Sequence, residues 1–212
     1  GHERIMNDAR RFVRGIALLL CLALVSSVVL AQSLPSTTMT KVLLSSYANA
    51  VCNDGSPAAF YWRPGFGNGN TSYVVHLQGG AWCTDQASCL DRATSSPDLV
   101  SSNGYPATSD HSLGLFSTNS SLNRGWYNAN MAYVMYCTSD SWSGNATATF
   151  AGQLWRFQGR RVIEAVFEKL RDSYGLDRAS QVLFSGCSAG GQGVIVNVDH
   201  VQNILYSFGI ST

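Results

Sequence analysis

Beyond residue 31 the chain has no apolar run long enough to cross a bilayer and no excess of either charge. It also has no Cys-x-x-Cys pair and no internal repeat. A membrane helix needs about 20 consecutive apolar residues, so residues 32–212 supply no such span. They carry 10 Lys and Arg against 11 Asp and Glu, a net of −1. That offers no basic footprint to nucleic acid or to an anionic membrane surface. With no Cys-x-x-Cys and no histidine at ligand spacing, disulfides are preferred over zinc for the cysteines, and no metal or cofactor is implied. No domain boundary is legible inside 41–212, so one domain with a real core is expected.

The first 31 residues read differently. Arg10, Arg11 and Arg14 form a basic region, Ile16 to Leu30 is mostly apolar, and Val29-Leu30-Ala31 has the small-residue pattern of a cleavage site. Residues 1–31 are expected to be a secretory signal starting at Met6, with Gln32 as mature N-terminus and residues 1–5 as upstream translation. An uncleaved anchor is the rival reading, but the run is short and Ser26-Ser27 interrupts it. No membrane attachment is expected after cleavage.

Secretion gives the remaining five cysteines a context. Cys83 and Cys89 are spaced to clip one loop, and Cys52 with Cys137 can tie an N-terminal segment to the sheet. Cys187 is then left unpaired. Asn70, Asn119 and Asn145 each open an Asn-x-Ser/Thr sequon, a glycosylation candidate on a secreted chain.

Residues 32–47 are expected to be a linker. YVVHL (73–77) and MAYVMY (131–136) are strand candidates, and 91–125 suggests a long, partly helical surface excursion. Within 153–174, Ile163, Val166, Phe167, Leu170 and Tyr174 form a helical stripe stopped by Gly175, with Arg160 and Glu164 as a polar-face pair. Strand 181–184 and a further helix follow. Strand, helix, strand, helix implies a parallel sheet covered by helices.

The last junction carries chemistry. Val182-Leu183-Phe184 leads into Gly186-Cys187-Ser188-Ala189-Gly190, and an apolar helical pattern leaves it. Gly-x-Ser-x-Gly between strand and helix is the setting of a nucleophile elbow. Its sharp turn exposes a serine hydroxyl, and the helix N-terminus aims N–H groups at a forming oxyanion. A second donor would come from a glycine-rich loop after an earlier strand, the place held by Gly79-Gly80-Ala81. An elbow serine also needs a histidine and a carboxylate. Asp199 and His200 lie 11 and 12 residues along the same helix, roughly 16–18 Å away at ~1.5 Å per residue, so they cannot serve. His76 reads as a packed strand residue and His111 as a solvated loop residue. Asp140 reads equally as site lining or as a loop support.

Several blocks, in order, resemble the pectinacetylesterase family: AVCNDGSPAAFYWRPGFGNG (50–69), LQGGAWC (77–83), WYNANMAYVMYC (126–137), SDSWSG (139–144) and SGCSAGGQGVIVNVD (185–199). That family includes the plant pectin acetylesterases and Notum, an animal carboxylesterase that removes palmitoleate from Wnt proteins. The resemblance implies an α/β-hydrolase-like three-layer fold with a mostly parallel sheet, here residues 48–212, ending before the last strands. It also implies ester hydrolysis by a Ser–His–Asp triad. Ser188 matches the nucleophile; Gly80, Ala81 and Ala189 match the oxyanion hole; Trp82, Asp140 and Trp142 fall where a pocket would be lined. The triad Asp and His are expected beyond Thr212, which would leave this portion inactive alone. The substrate would be acetylated polysaccharide or, on the Notum pattern, an acylated protein. A non-catalytic secreted binding protein is the alternative of another class. Ala81 departs from Notum, which has a large aromatic residue there.

Overall fold

The computed structural model describes residues 35–211. The signal-sequence reading of residues 1–31 lies outside them. A six-stranded sheet forms the body, in the order β4-β1-β2-β5-β3-β8. Its strands are β1 (Thr38–Leu43), β2 (Ala59–Arg63), β3 (Ser72–Leu77), β4 (Thr108–Asp110), β5 (Asn130–Val134) and β8 (Gln181–Gly186). The half that carries the elbow, β5-β3-β8, is parallel. The N-terminal half, β4-β1-β2, joins it by antiparallel pairing.

The helices are α1 (Gln86–Ser95), α2 (Gly159–Tyr174) and α3 (Ala189–Ser207). Ile163, Val166, Phe167 and Leu170 of α2 are fully buried, as the stripe requires, against Tyr73, Val75 and Leu77 of β3. Val201 and Leu205 of α3 join the same core. Fully burying one such side chain stabilises by about 1.5–3 kcal/mol. The helix α2 ends at Gly175, in the left-handed conformation at φ 75°. On the opposite sheet face, Tyr61, Val74 and Met131 pack against Leu115, Phe116 and Trp126 from the irregular segment between β4 and β5.

Two expectations are corrected. The supposed linker 32–47 contains β1, with Met39 and Leu44 fully buried and four residues paired to β2. Its Thr-Met-Thr-Lys alternation, preceded by Ser36 and Thr37, hides a strand that pairing on both edges stabilises. Residues 153–157 are not helical. They form β7 (Gln153–Phe157), which pairs with β6 (Ala146–Phe150) across a turn at Ala151 (φ 47°) and Gly152 (φ 77°). Positive φ at both central residues matches the twist of a two-residue hairpin. The buried Trp155 anchors it on Cys89 and Val100.

Both expected disulfides, Cys52–Cys137 and Cys83–Cys89, are formed, and Cys187 is free and exposed. Asn70, Asn119 and Asn145 are exposed. No helix among the described residues is long and apolar enough to cross a membrane.

Glu164 binds α2 to α3. Its carboxylate accepts from Arg161 Nη1 at 2.7 Å and pairs with His200 Nε2 at 2.8 Å, while the expected partner Arg160 stands at 3.9 Å. Burial opposes ionisation of Glu164, but the hydrogen bonds from Arg161 and His200 outweigh it and hold the carboxyl below its usual range. A depressed folded value gives stability that is present above the unfolded value of about 4.3 and is lost as pH falls through the folded one. Glu164→Gln should therefore flatten that acid-side loss in urea unfolding between pH 7 and pH 3.5. A variant with the same pH profile as the parent would reject this role.

Candidate active site

Strands β3 and β8 run parallel with Leu77 opposite Gly186, so both chains leave the sheet side by side at their carboxyl ends. From β8 the chain turns within two residues into α3. Ser188 holds the turn at φ 54°, ψ −121°, and α3 begins at Ala189. A serine at positive φ is a strained conformation, costing of order 1–3 kcal/mol, which persists only where its surroundings enforce it. The enforcement is visible. Cys187 N–H donates to Leu77 O at 3.3 Å, Gly190 N–H to Cys187 O at 2.8 Å, and Gln192 N–H to Ser188 O at 3.1 Å. Gly190 lies so close to Leu77 that a Cβ there would fall on its carbonyl. Ser188 is exposed, whereas Ala189 is fully buried with the first turn of α3 behind it.

From β3 the chain enters Gly79-Gly80-Ala81, with Gly80 at φ 145° and Ala81 at φ 56°. Gly79 borders the elbow directly: a Cβ on it would lie 3.0 Å from Ser188 Cβ. The fold thus sets the start of the Gly79-Gly80-Ala81 loop against Ser188, where the helix beginning at Ala189 leaves the sheet. A glycine-rich loop and a helix start that meet at an exposed serine are the elements from which an acyl-transfer oxyanion site can be built. Trp82, 46% exposed, follows this loop.

Trp142 is corrected from pocket lining to loop support, and of the two readings of Asp140 its contacts match the loop support. Both Asp140 oxygens are occupied: Oδ1 accepts from Thr138 Oγ1 (2.7 Å) and Trp142 N–H (3.0 Å), and Oδ2 from Gly144 N–H (3.1 Å) and Gly159 N–H (2.7 Å). Burial pushes its carboxyl up against those hydrogen bonds. Four donors converging on an acceptor pin the loop to the start of α2 and leave nothing free for a ligand. Trp142 has no exposed surface.

The described histidines are engaged elsewhere. His76 shares a 3.0 Å hydrogen bond with Ser185 Oγ and stacks on Tyr133, and burial, with His111 nearby, lowers its pKa. His111 is not a solvated loop residue: it packs 4.3 Å from the Tyr133 ring, and burial lowers its pKa too. His200 is held by Glu164. Among the described residues no cluster could hold a metal ion.

The pectinacetylesterase family model matches residues 32–209. The chain belongs to the pectinacetylesterase family. It is 38% identical over 161 residues to the palmitoleoyl-protein carboxylesterase notum1' of Xenopus laevis, covering 76% of this chain and 32% of that protein. It is 36% identical over 156 residues to pectin acetylesterase 7 of Arabidopsis thaliana, covering 74% of this chain and 39% of that one. The crystal structure of the Wnt deacylase Notum from Drosophila superposes with a TM-score of 0.71 at 35% identity, over 79% of this chain and 47% of that chain. The fold is accordingly α/β-hydrolase-like. The chain spans about a third of the length of the curated relatives it matches.

Sequence reasoning missed the backbone of the SDSWSG block. Ser139, Ser141 and Trp142 all have positive φ, at 54°, 53° and 66°. The available signal was the run of turn-forming residues directly after a buried strand, with an aspartate placed to accept from its own loop.

Proposed function

We propose that this chain carries the nucleophile of a secreted carboxylic-ester hydrolase that deacetylates extracellular polysaccharide such as pectin. The observation that carries the reading is Ser188: an exposed hydroxyl on a strained strand-to-helix turn, bordered by Gly79 and followed by a buried helix start. In this mechanism Ser188 Oγ attacks the ester carbonyl and passes its proton to a histidine. The N–H groups of Ala189 and the 80–81 loop hold the oxyanion. The alcohol leaves, and water releases the acyl group from Ser188. Because His76, His111 and His200 are engaged elsewhere, the base and its orienting carboxylate are assigned to the part of the relatives' length that this chain does not span. Signal cleavage after Ala31 and glycosylation at the three exposed sequons belong to the same reading.

A second reading, a lipid-protein deacylase, is supported by the named Notum relatives. Ala81, where Notum carries a large aromatic residue, weakens any inference from Notum about an acyl pocket in this chain. The intact protein should release acetate from acetylated pectin and hydrolyse p-nitrophenyl acetate with a higher kcat/KM than p-nitrophenyl octanoate. The reverse order would favour the lipid deacylase. Turnover of neither ester would favour a binding protein on the same fold.

A further inference from the structure

We infer that Trp142 is a positioning residue that holds the two halves of the oxyanion site at a fixed separation; the inference rests on the assignment of Ser188, Ala189 and the 80–81 loop above. Those halves come from segments about a hundred residues apart in the chain, and the segment that carries each is hydrogen-bonded to Trp142. On one side the indole Nε1–H donates to Gln78 O at 3.0 Å, immediately before Gly79. On the other side Trp142 O accepts from Asn197 Nδ2 at 3.0 Å. Asn197 is 1% exposed, sits on α3 more than two turns past Ser188, and also donates to Gly193 O at 2.8 Å. Trp142 packs so closely on α3 that a Cβ at Gly193 would lie 2.7 Å from its own Cβ.

The brace is itself braced. Tyr136 stacks on the indole, with ring centroids 5.1 Å apart, and its hydroxyl accepts from Ser141 N–H at 2.6 Å. Tyr136 N–H donates to Gln78 Oε1 at 2.8 Å, so the start of the oxyanion loop is held at two points. Arg92 lies over the other flank of this group, 5.5 Å from the Tyr136 ring, and donates to Ser139 Oγ at 2.8 Å.

Backbone strain singles out this assembly. Among the described residues six non-glycine positions have positive φ, and five of them are Ala81, Ser139, Ser141, Trp142 and Ser188. A tryptophan that only filled the core would gain nothing from a left-handed backbone. At Trp142 that backbone aims the indole N–H at one half of the site and the carbonyl at the other. Oxyanion donors act only when held within about 0.5 Å of the productive position, so a brace spanning both acts on the transition state rather than on substrate binding.

The test is Trp142→Phe in the intact protein, which keeps an aromatic ring on Tyr136 and removes the N–H. With p-nitrophenyl acetate, kcat should fall about ten- to a hundredfold while KM stays within about twofold. Inhibition by a trifluoromethyl ketone, whose serine adduct needs the oxyanion donors, should weaken by the same factor. Asn197→Ala, which cuts the other end, should give the same split, and it decides the matter if Trp142→Phe fails to fold. A kcat within twofold of the parent in a folded variant, or a loss confined to KM, overturns the proposal. Ser188→Ala measured in parallel separates the two levels. If it retains turnover, the serine assignment fails; if it is inactive while the Trp142 and Asn197 variants keep full kcat, only the brace fails.

Discussion

Ser188→Ala in the intact protein should lower kcat for ester hydrolysis by about 10⁴-fold or more, the scale on which removal of a nucleophile acts when the oxyanion donors are left in place. The mutation deletes one oxygen from an exposed position. It keeps the Cβ and hence the strained backbone at φ 54°, so expression yield and thermal midpoint should barely change. Cys187→Ala is the informative neighbour. Its thiol is free and exposed, but the proposed mechanism runs through Ser188, so this variant should keep most activity. Initial rates on p-nitrophenyl acetate, with acyl-enzyme trapped and located by mass spectrometry, check both. An acyl group found on Cys187, or turnover surviving in Ser188→Ala, would reassign the nucleophile.

The largest effect on stability is expected from the Cys52–Cys137 bridge. It joins residues 85 apart, whereas Cys83–Cys89 closes a separation of 6. Loop-closure entropy then gives about 4–5 kcal/mol for the first and about 2 kcal/mol for the second. Cys52 and Cys137 are also buried at 0% and 1% exposure, so their replacement by alanine loses packing as well. Urea unfolding of the two double-alanine variants should rank them in that order; equal losses, or a larger loss at Cys83–Cys89, would refute it. Activity should suffer too. Next to Cys52, Asn53 donates to Thr138 O at 2.9 Å and accepts from Ser139 Oγ at 2.6 Å. The long bridge therefore fixes the strand end from which the Asp140–Trp142 loop departs.

The parts legible in sequence were those where one residue type answers one physical demand. Glycines at 186 and 190 serve a close backbone approach, and the stripe from Ile163 to Leu170 serves a single buried helix face. The cysteine pairs follow the same logic through their spacing. β1 was hidden because threonine and lysine suit a strand edge and a linker equally well, and its burial depends on pairing with residues 59–62 and 108–110. β7 was hidden because its turn uses Ala151, a residue that favours helix, at a φ that only the hairpin enforces. Trp142 was legible as a residue near the site, but its role depends on a carbonyl at Gln78 and an amide at Asn197, contacts that no local pattern encodes. Asp140 reads equally as site lining or as a loop support until its acceptors are seen to be filled by its own loop and by Gly159 at the start of α2.

The backbone at Ser188 has a consequence for the history of such chains. At φ 54°, ψ −121° a glycine would sit without strain, so folding and turnover ask for different residues at this one codon. A gene copy no longer selected for hydrolysis would gain stability by losing its serine to glycine, with the rest of the fold intact. A family member with glycine at the position of Ser188, and its disulfides still in place, would carry the mark of an abandoned enzyme rather than of a damaged one.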